Sequence, residues 1–402
     1  MAQTSTCVLR LHDPLTRSNW GGRATSLAMG GIVENSAGRR ITSTISEWIL
    51  KPLSPIDEKS EDRSGFHAVD ELARAIAAPE PATHGLRAVR TAITAADELV
   101  VNGEGDFILT ERLTLVRTMA MMRAAKLLGK PVHLLNSILS YAPVRPEHEK
   151  LIIDEVGETL AMCDSIRYRD PASLELHREL FPQLQADWVP DALFAWAGAA
   201  KTTLADRAAF SPETEGLSIT VQRLLHSDQP YVVLSGTSRY DVDADDFRAT
   251  VLALRSRLKK DGVETVFAAS DGPDSKFIAA LKGSGTLVVQ TKVPLTAAAR
   301  LLWNASAFVS GRYHPSILAT LGGTPFVLMH SNSHKTRSLY DVVASGTAPD
   351  EHPFFAGGEN AAERIAEAIG PVIGDRKARA RVRKSAATNG RSVTRTFTEI
   401  LA

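Results

Sequence analysis

The stretch Leu295–Leu328, LTAAARLLWNASAFVSGRYHPSILATLGGTPFVL, passes twice from a helical pattern to a short apolar run. Leu295 to Asn304 has helical spacing, Ala307 to Ser310 is a compact apolar segment, Pro315 to Leu321 is helical again, and Pro325 to Leu328 is apolar. Strands of about four residues joined by helical patterns predict a parallel sheet with crossover helices, because a parallel pair needs a long connection.

The same alternation extends upstream. Tyr231–Leu234, Thr265–Ala269 and Thr286–Gln290 read as strands, with helical patterns over Phe247–Leu258 and Phe277–Lys282. Nearer the N-terminus, Cys7–Leu11, Leu99–Asn102, Pro131–Leu135, Ser165–Tyr168 and Asp187–Val189 read as strands. Helices are expected from Ala24, over Leu113–Leu128, and from Pro171, where Asp170 is placed to cap. Asn19-Trp20-Gly21-Gly22 reads as a polar turn, and Gly103-Glu104-Gly105 as a strand breaker. Leu50–Gly65, rich in Pro, Ser and charge, reads as a surface loop, and Ala199–Gly216 as a connection between halves. The expected organisation is an α/β chain of two Rossmann-like domains, residues 1–205 and 206–375, facing a cleft, then a basic helical tail at 376–402 whose charges read as a solvated face.

Bulk properties narrow the function classes. The 402 residues are 44% hydrophobic and 23% charged, with 46 Lys plus Arg balancing 46 Asp plus Glu. That balance gives no support for nucleic-acid binding. The two cysteines, Cys7 (in an apolar run, expected buried) and Cys163, imply neither a disulfide framework nor a zinc site. No run approaches the roughly 18 apolar residues of a membrane span, and no signal-peptide pattern is seen, so a cytoplasmic location is expected.

The chemistry concentrates in Ser310-Gly311-Arg312-Tyr313-His314-Pro315. A buried strand ends at Ser310, and Pro315 suits the first turn of a helix. Arg312 and His314 therefore lie in the mouth between strand end and helix start. One reading is an anion site, with the guanidinium fork and helix N-terminus as donors and the imidazole as a proton-transfer group. The other is a salt-bridged arginine and a capping histidine.

Context bears on that choice. After Arg312-x-His314 come Gly322-Gly323-Thr324-Pro325, an apolar strand, and His334-Lys335. This order resembles the polysaccharide pyruvyl transferase family, with its Arg-x-His, small-residue helix, Gly-x-Pro turn, strand and Lys. Val100-Val101-Asn102-Gly103-Glu104-Gly105 is similar to the family's strand and Gly-rich turn, and Gly129-Lys130-Pro131-Val132 to its next strand entry. Arg169-Asp170 with Ser173 resembles its Arg-Asp-x-x-Ser segment, and Asp191 to Phe194 its Asp-x-x-Phe. The Asn19–Gly22 turn is also similar, except that this chain has Arg23 where the family usually has an Asp nearby.

The resemblance implies a GT-B-like fold and a pyruvyltransferase that takes phosphoenolpyruvate as co-substrate and a glycan or glycoside as acceptor, forming a pyruvyl ketal with phosphate release. It implies no further cofactor, and no metal-ligand cluster is seen. His314 is the candidate acid. Arg312, Arg239 and Lys335 are candidate donor ligands, Arg239 by its place after the first strand of the second half, with a surface pairing to Asp241 or Asp243 as its alternative. Glu104, Asp106 and Asn19 are candidate acceptor ligands on the first half. Gly103, Gly105, Asp170 and Ser173 read more simply as architectural, and Asp191 as either. A nucleotide-sugar glycosyltransferase on the same type of fold, or a non-catalytic glycan- or anion-binding relative, are the alternatives.

Overall fold

The structure is a computed structural model, and it describes residues 6–11, 18–36, 38–46, 49–50, 66–198, 216–239, 242–343 and 359–401. The expected loop at 51–65, most of the expected connection at 199–216, and the expected boundary at 205/206 lie outside the described residues, as does Asp241.

The chain divides into two compact units: Met1–Pro14, Met29–Ala192 and Val393–Ala402 form one, and Leu15–Ala28 with Leu193–Ser392 the other. These bounds differ from a simple cut into consecutive halves. A short segment after the first strand joins the second unit, and the last residues of the tail join the first.

The first unit holds β1 (Thr6–Leu11), the second part of α1 (Trp20–Asn35), whose first turns belong to the other unit, β2 (Arg39–Ile45), α2 (Val69–Ala77), α3 (His84–Ala95), β3 (Glu98–Glu104), β4 (Ile108–Leu109), α4 (Leu113–Leu127), β5 (Val132–Ser137), β6 (Ser140–Tyr141), α5 (Glu149–Ala161), β7 (Ser165–Tyr168), α6 (Pro171–Leu180) and β8 (Asp187–Trp188). Its main sheet runs β2-β1-β3-β5-β7-β8, with every neighbour parallel. Its core joins the inner strands to α2, α3 and α4 through Leu9, Val101, Leu134, Ile76, Val89 and Met119. Cys7, expected buried, is half-buried near the sheet margin.

The second unit holds α7 (Ile219–His226), β9 (Tyr231–Thr237), α8 (Ala244–Lys260), β10 (Glu264–Ala268), α9 (Ser275–Ala280), β11 (Leu287–Val289), α10 (Leu295–Asn304), β12 (Ala307–Gly311), α11 (Tyr313–Leu321), β13 (Phe326–Leu328), α12 (Lys335–Val343), α13 (Glu359–Ile369) and most of α14 (Arg376–Ile400). The sheet order is β11-β10-β9-β12-β13, again parallel throughout. The central strand β9 is buried along its whole length, as a strand covered on both faces must be. From β9 the chain first builds outward through β10 and β11, then returns to place β12 on the other side of β9. The C-terminal ends of β9 and β12 thus flank a topological switch point, where open parallel sheets bind ligands.

Candidate functional site

Arg312 occupies the N-cap position of α11 in an extended conformation (φ −105°, ψ 123°), and the helix begins at Tyr313, two residues before the expected start. Pro315 is then the third helical residue, where its missing N–H still costs nothing. The Ser310 hydroxyl accepts from the Arg312 N–H at 2.9 Å. The guanidinium is paired twice: Nη1 donates to Asp271 Oδ2 at 2.9 Å and Nη2 to Asp274 Oδ1 at 2.6 Å. Arg312 Nε is buried without a hydrogen-bond partner. Of the two readings the sequence leaves open, the ion-paired arginine is the arrangement seen.

Asp274 is fully buried and also accepts from the Ser270 N–H at 2.9 Å and the Asp271 N–H at 3.1 Å. Burial pushes its carboxyl above the usual range, and the Arg312 charge pulls the other way. Space for it exists only because residue 236 is glycine: a Cβ there would lie 2.5 Å from Asp274 Cγ. Asp271 and Asp274 carry no sign of a site role in the sequence. Their Asp-Gly-Pro-Asp spacing is a capping-box signature, and the structure shows that box closed. Nothing in it says that the box would also clamp an arginine.

His314 lies in the first turn of α11, 7% exposed, with the Tyr313 ring edge-on at 5.3 Å between centroids. Against it packs the first turn of α1. The helix starts at Trp20, four residues earlier than expected, so Asn19–Gly22 is a helix entry and not a free turn. Asn19 Oδ1 accepts from the Gly22 N–H at 2.9 Å, a local cap. The Trp20 N–H donates to Ser270 O at 2.9 Å, and the indole Nε1–H to Thr291 O at 2.8 Å. Arg23 Nη2 donates to Thr291 O at 3.4 Å and Val293 O at 3.3 Å. Here Arg23, where the family usually has an acid, serves as a strap that ties α1 to the loop after β11. At Gly21, a Cβ would overlap His314 Cβ and lie 2.9 Å from both Cγ and Nδ1. Asn19 thus belongs with His314 in the second unit, and not in the first half where its place in the sequence puts it.

Arg239 and Lys335 sit at the same edge of the sheet. Arg239 follows β9, and its Nη1 is 3.1 Å from His330 Nδ1. Thr237 Oγ1 accepts from the Arg239 N–H at 3.2 Å and donates to His330 O at 2.5 Å. The Ser238 and Ser331 hydroxyls meet at 2.7 Å. Lys335 opens α12 and donates to Asn332 Oδ1 at 2.7 Å. Gly311 permits this crowding, since a Cβ there would lie 2.6 Å from Thr237 Cβ and 2.7 Å from His330 O. His330 had no signal in the sequence.

Glu104 and Asp106 lie in the first unit, at the end of β3. Glu104 has a left-handed backbone (φ 37°), as does Asn136 (φ 55°) at the matching end of β5, and such residues cluster at functional sites. Asn136 is buried, donates to Asn102 Oδ1 at 3.0 Å, and accepts from the Ala192 N–H at 2.9 Å. Asp106 is 8% exposed, unlike a solvated turn carboxylate. Asp170 caps α6 as expected, accepting from the Ser173 N–H at 2.9 Å, while the Ser173 hydroxyl accepts from the Leu139 N–H at 3.0 Å. Asp191 and Arg169 are both buried and 3.7 Å apart.

The polysaccharide pyruvyl transferase profile matches residues 38–333 of the 402. The chain belongs to the polysaccharide pyruvyl transferase family. It is therefore a transferase, and its matched region takes in Arg239, Arg312, His314 and His330, stopping just short of Lys335. No curated protein matches. Among solved structures, UDP-GlcNAc 2-epimerase from Neisseria meningitidis bound to UDP-GlcNAc is similar with a TM-score of 0.57 and 11% identity, over 98% of this chain and 100% of that one. An α,α-trehalose-phosphate synthase from Burkholderia xenovorans is similar with a TM-score of 0.59 and 12% identity, over 98% and 99%. These likenesses establish the GT-B-like fold of two Rossmann-like units. Among the described residues no helix is long and apolar enough to cross a membrane.

Proposed function

We propose that this transferase moves the enolpyruvyl group of phosphoenolpyruvate onto two hydroxyls of a glycan, forming a pyruvyl ketal and releasing phosphate. The observation that carries the reading is the convergence of His314, Arg239 and Lys335 on the C-terminal edge of one sheet, at its switch point, within the family's matched region or beside it. Phosphoenolpyruvate carries a carboxylate and a phosphate, and Arg239 and Lys335 supply cationic donors for them.

In this reading His314 gives a proton to the methylene carbon as a glycan hydroxyl adds to the neighbouring carbon and releases its own proton to solvent. Phosphate then leaves with its bonding electron pair. The second hydroxyl captures the resulting cationic centre and loses its proton. Arg312, clamped by Asp271 and Asp274, fixes the start of α11 and so the position of His314, and its buried Nε–H remains as a donor. Glu104 and Asp106 on the first unit are proposed to hold acceptor hydroxyls. Asn19 caps α1, the helix whose first turn packs against His314.

The test is to incubate the protein with phosphoenolpyruvate and a panel of glycans, measuring phosphate, with a nucleotide-sugar panel in parallel. Phosphate release that requires a diol supports the proposal. Nucleotide release would replace it with a glycosyltransferase, and binding without turnover would leave a non-catalytic relative.

A further inference from the structure

The Gly322-Gly323-Thr324-Pro325 turn has no part in the chemistry proposed above. It closes the far end of α11, the helix that carries His314 in its first turn. Gly322 is the C-cap, and Gly323 is left-handed (φ 84°). The Gly323 N–H donates to Thr320 O at 2.8 Å and the Thr324 N–H to Ala319 O at 3.1 Å. That closure satisfies two of the last carbonyls and leaves the one at Gly322 to be met from elsewhere.

The donors come from α14. Arg383 Nη2 donates to Gly322 O at 2.7 Å, and Arg379 Nη2 lies 3.5 Å from the same oxygen. Arg379 also donates through Nη1 to Ala305 O and through Nη2 to Trp303 O, both at 2.5 Å, at the end of α10. The Trp303 indole Nε1–H donates to Leu318 O at 2.7 Å, so α10 and α11 are tied together at that end. The two glycines make the seat: a Cβ at Gly322 would lie 2.6 Å from Trp303 Cα, and one at Gly323 2.6 Å from Arg379 O. The charges of the tail, expected on a solvated face, therefore divide: Lys377, Arg381 and Lys384 are exposed, whereas Arg379 is half-buried. Burial, then the Arg383 charge beside it, pull the Arg379 pKa below its usual value, and the negative ends of α10 and α11 oppose both effects. We infer that Arg379 and Arg383 are positioning residues for the transfer reaction, holding α11 at its C-terminal end and so setting His314 at the other. The helix has nine residues, about 13 Å, and its internal hydrogen bonds pass a shift at one end to the other. The inference rests on His314 as the proton donor.

Donor KM and kcat should be measured by phosphate release with a glycan diol, well below the Tm of each variant. Arg379→Met should lower kcat about 10–100-fold, the scale of a misplaced proton-transfer group, with donor KM within about twofold. Arg383→Met should lower kcat about 3–10-fold, the worth of one hydrogen bond. Arg383→Lys should restore it to within about twofold, since one donor suffices for one carbonyl. Arg381→Met, on the same helix with its guanidinium 3.9 Å from Asp375, should leave kcat within about twofold. The double variant Arg379→Met/His314→Gln should be no slower than His314→Gln. Nitrogen-15 NMR of the histidine rings gives a readout independent of turnover: the His314 signals should shift in Arg379→Met and Arg383→Met, while those of His177 in the first unit stay in place. Wild-type kcat in folded Arg379→Met and Arg383→Met proteins, a loss confined to donor KM, an equal loss in Arg381→Met, a slower double variant, an Arg383→Lys protein as slow as Arg383→Met, or an unmoved His314 ring would each overturn the inference. Wild-type turnover in His314→Gln would instead remove the proton-donor role, and the ring shifts would still decide whether the two arginines set that side chain.

Discussion

Replacing Gly21 by alanine tests the contact that sets His314 in place. The added methyl would lie 2.9 Å from His314 Cγ and Nδ1, and carbon contacts settle near 3.5–4.0 Å, so something must move by about 1 Å. α1 is tied down by Trp20 and Arg23 through the bonds to Ser270, Thr291 and Val293, and His314 belongs to a buried helix. Neither side gives way freely. Overpacking of this kind costs about 1–3 kcal/mol, which for a unit of this size lowers Tm by roughly 2–12 °C. A misplacement of about 1 Å at a proton-transfer group lowers turnover by about 100-fold. The assay is phosphate release from phosphoenolpyruvate with a glycan diol, alongside thermal unfolding. Gly31→Ala on the same helix is the control. A Cβ there meets nothing within 4 Å, so helix propensity alone should stabilise it by up to about 1 kcal/mol, with turnover preserved. A Gly21→Ala protein with wild-type Tm and wild-type turnover would refute the packing of α1 against His314.

Asp274→Ala removes one partner of a buried ion pair and the acceptor for two backbone N–H groups, and should cost about 3–5 kcal/mol in denaturant titration; a loss under 1 kcal/mol would contradict the clamp on Arg312. His177 is buried between the Tyr168 hydroxyl, 3.0 Å from Nδ1, and Leu184 O, 3.1 Å from Nε2, and burial holds its pKa below the ordinary value of 6.5. The unfolded chain therefore takes up this proton first. The stability tied to His177 is complete above about pH 6.5 and declines by up to about 1.4 kcal/mol per pH unit below it, and His177→Gln should flatten that slope in unfolding measured from pH 7.5 to 5. Arg312→Lys replaces two separate donor nitrogens with one and loses the planar fork that meets both carboxylates, so it should lower Tm as well as turnover; a change in donor affinity alone, at unchanged Tm, would make Arg312 a ligand and not a clamp.

Much of the second unit is legible in the sequence, because β9, β12 and β13 are buried along their whole length and stand out as apolar runs. Leu295–Asn304 is found at its true bounds, and Ser165–Tyr168 in the first unit likewise. What escapes has physical reasons. β2 is an edge strand, RRITSTI, whose residues alternate between half-buried and exposed, so it presents little apolar signal. α1 begins at Trp20 although two glycines follow, because tertiary bonds from Trp20 and Arg23 outweigh their poor propensity. At the site, Arg312 and His314 announce themselves through the strand end and Pro315. Their partners do not: Asp271, Asp274 and His330 lie 41, 38 and, from Arg239, 91 residues away in sequence. Only the parallel sheet brings them together.

The proposed reaction is tested most directly by supplying carbon-13-labelled phosphoenolpyruvate and a glycan diol in deuterated water and examining the glycan by NMR. Protonation of the methylene followed by double attack predicts a labelled quaternary ketal carbon bearing a CH2D methyl group and one phosphate released per ketal. His314→Gln should form it about 10²–10⁴-fold more slowly. A labelled product that keeps its methylene as an enol ether, or an unlabelled glycan beside wild-type nucleotide-sugar turnover, would contradict the account.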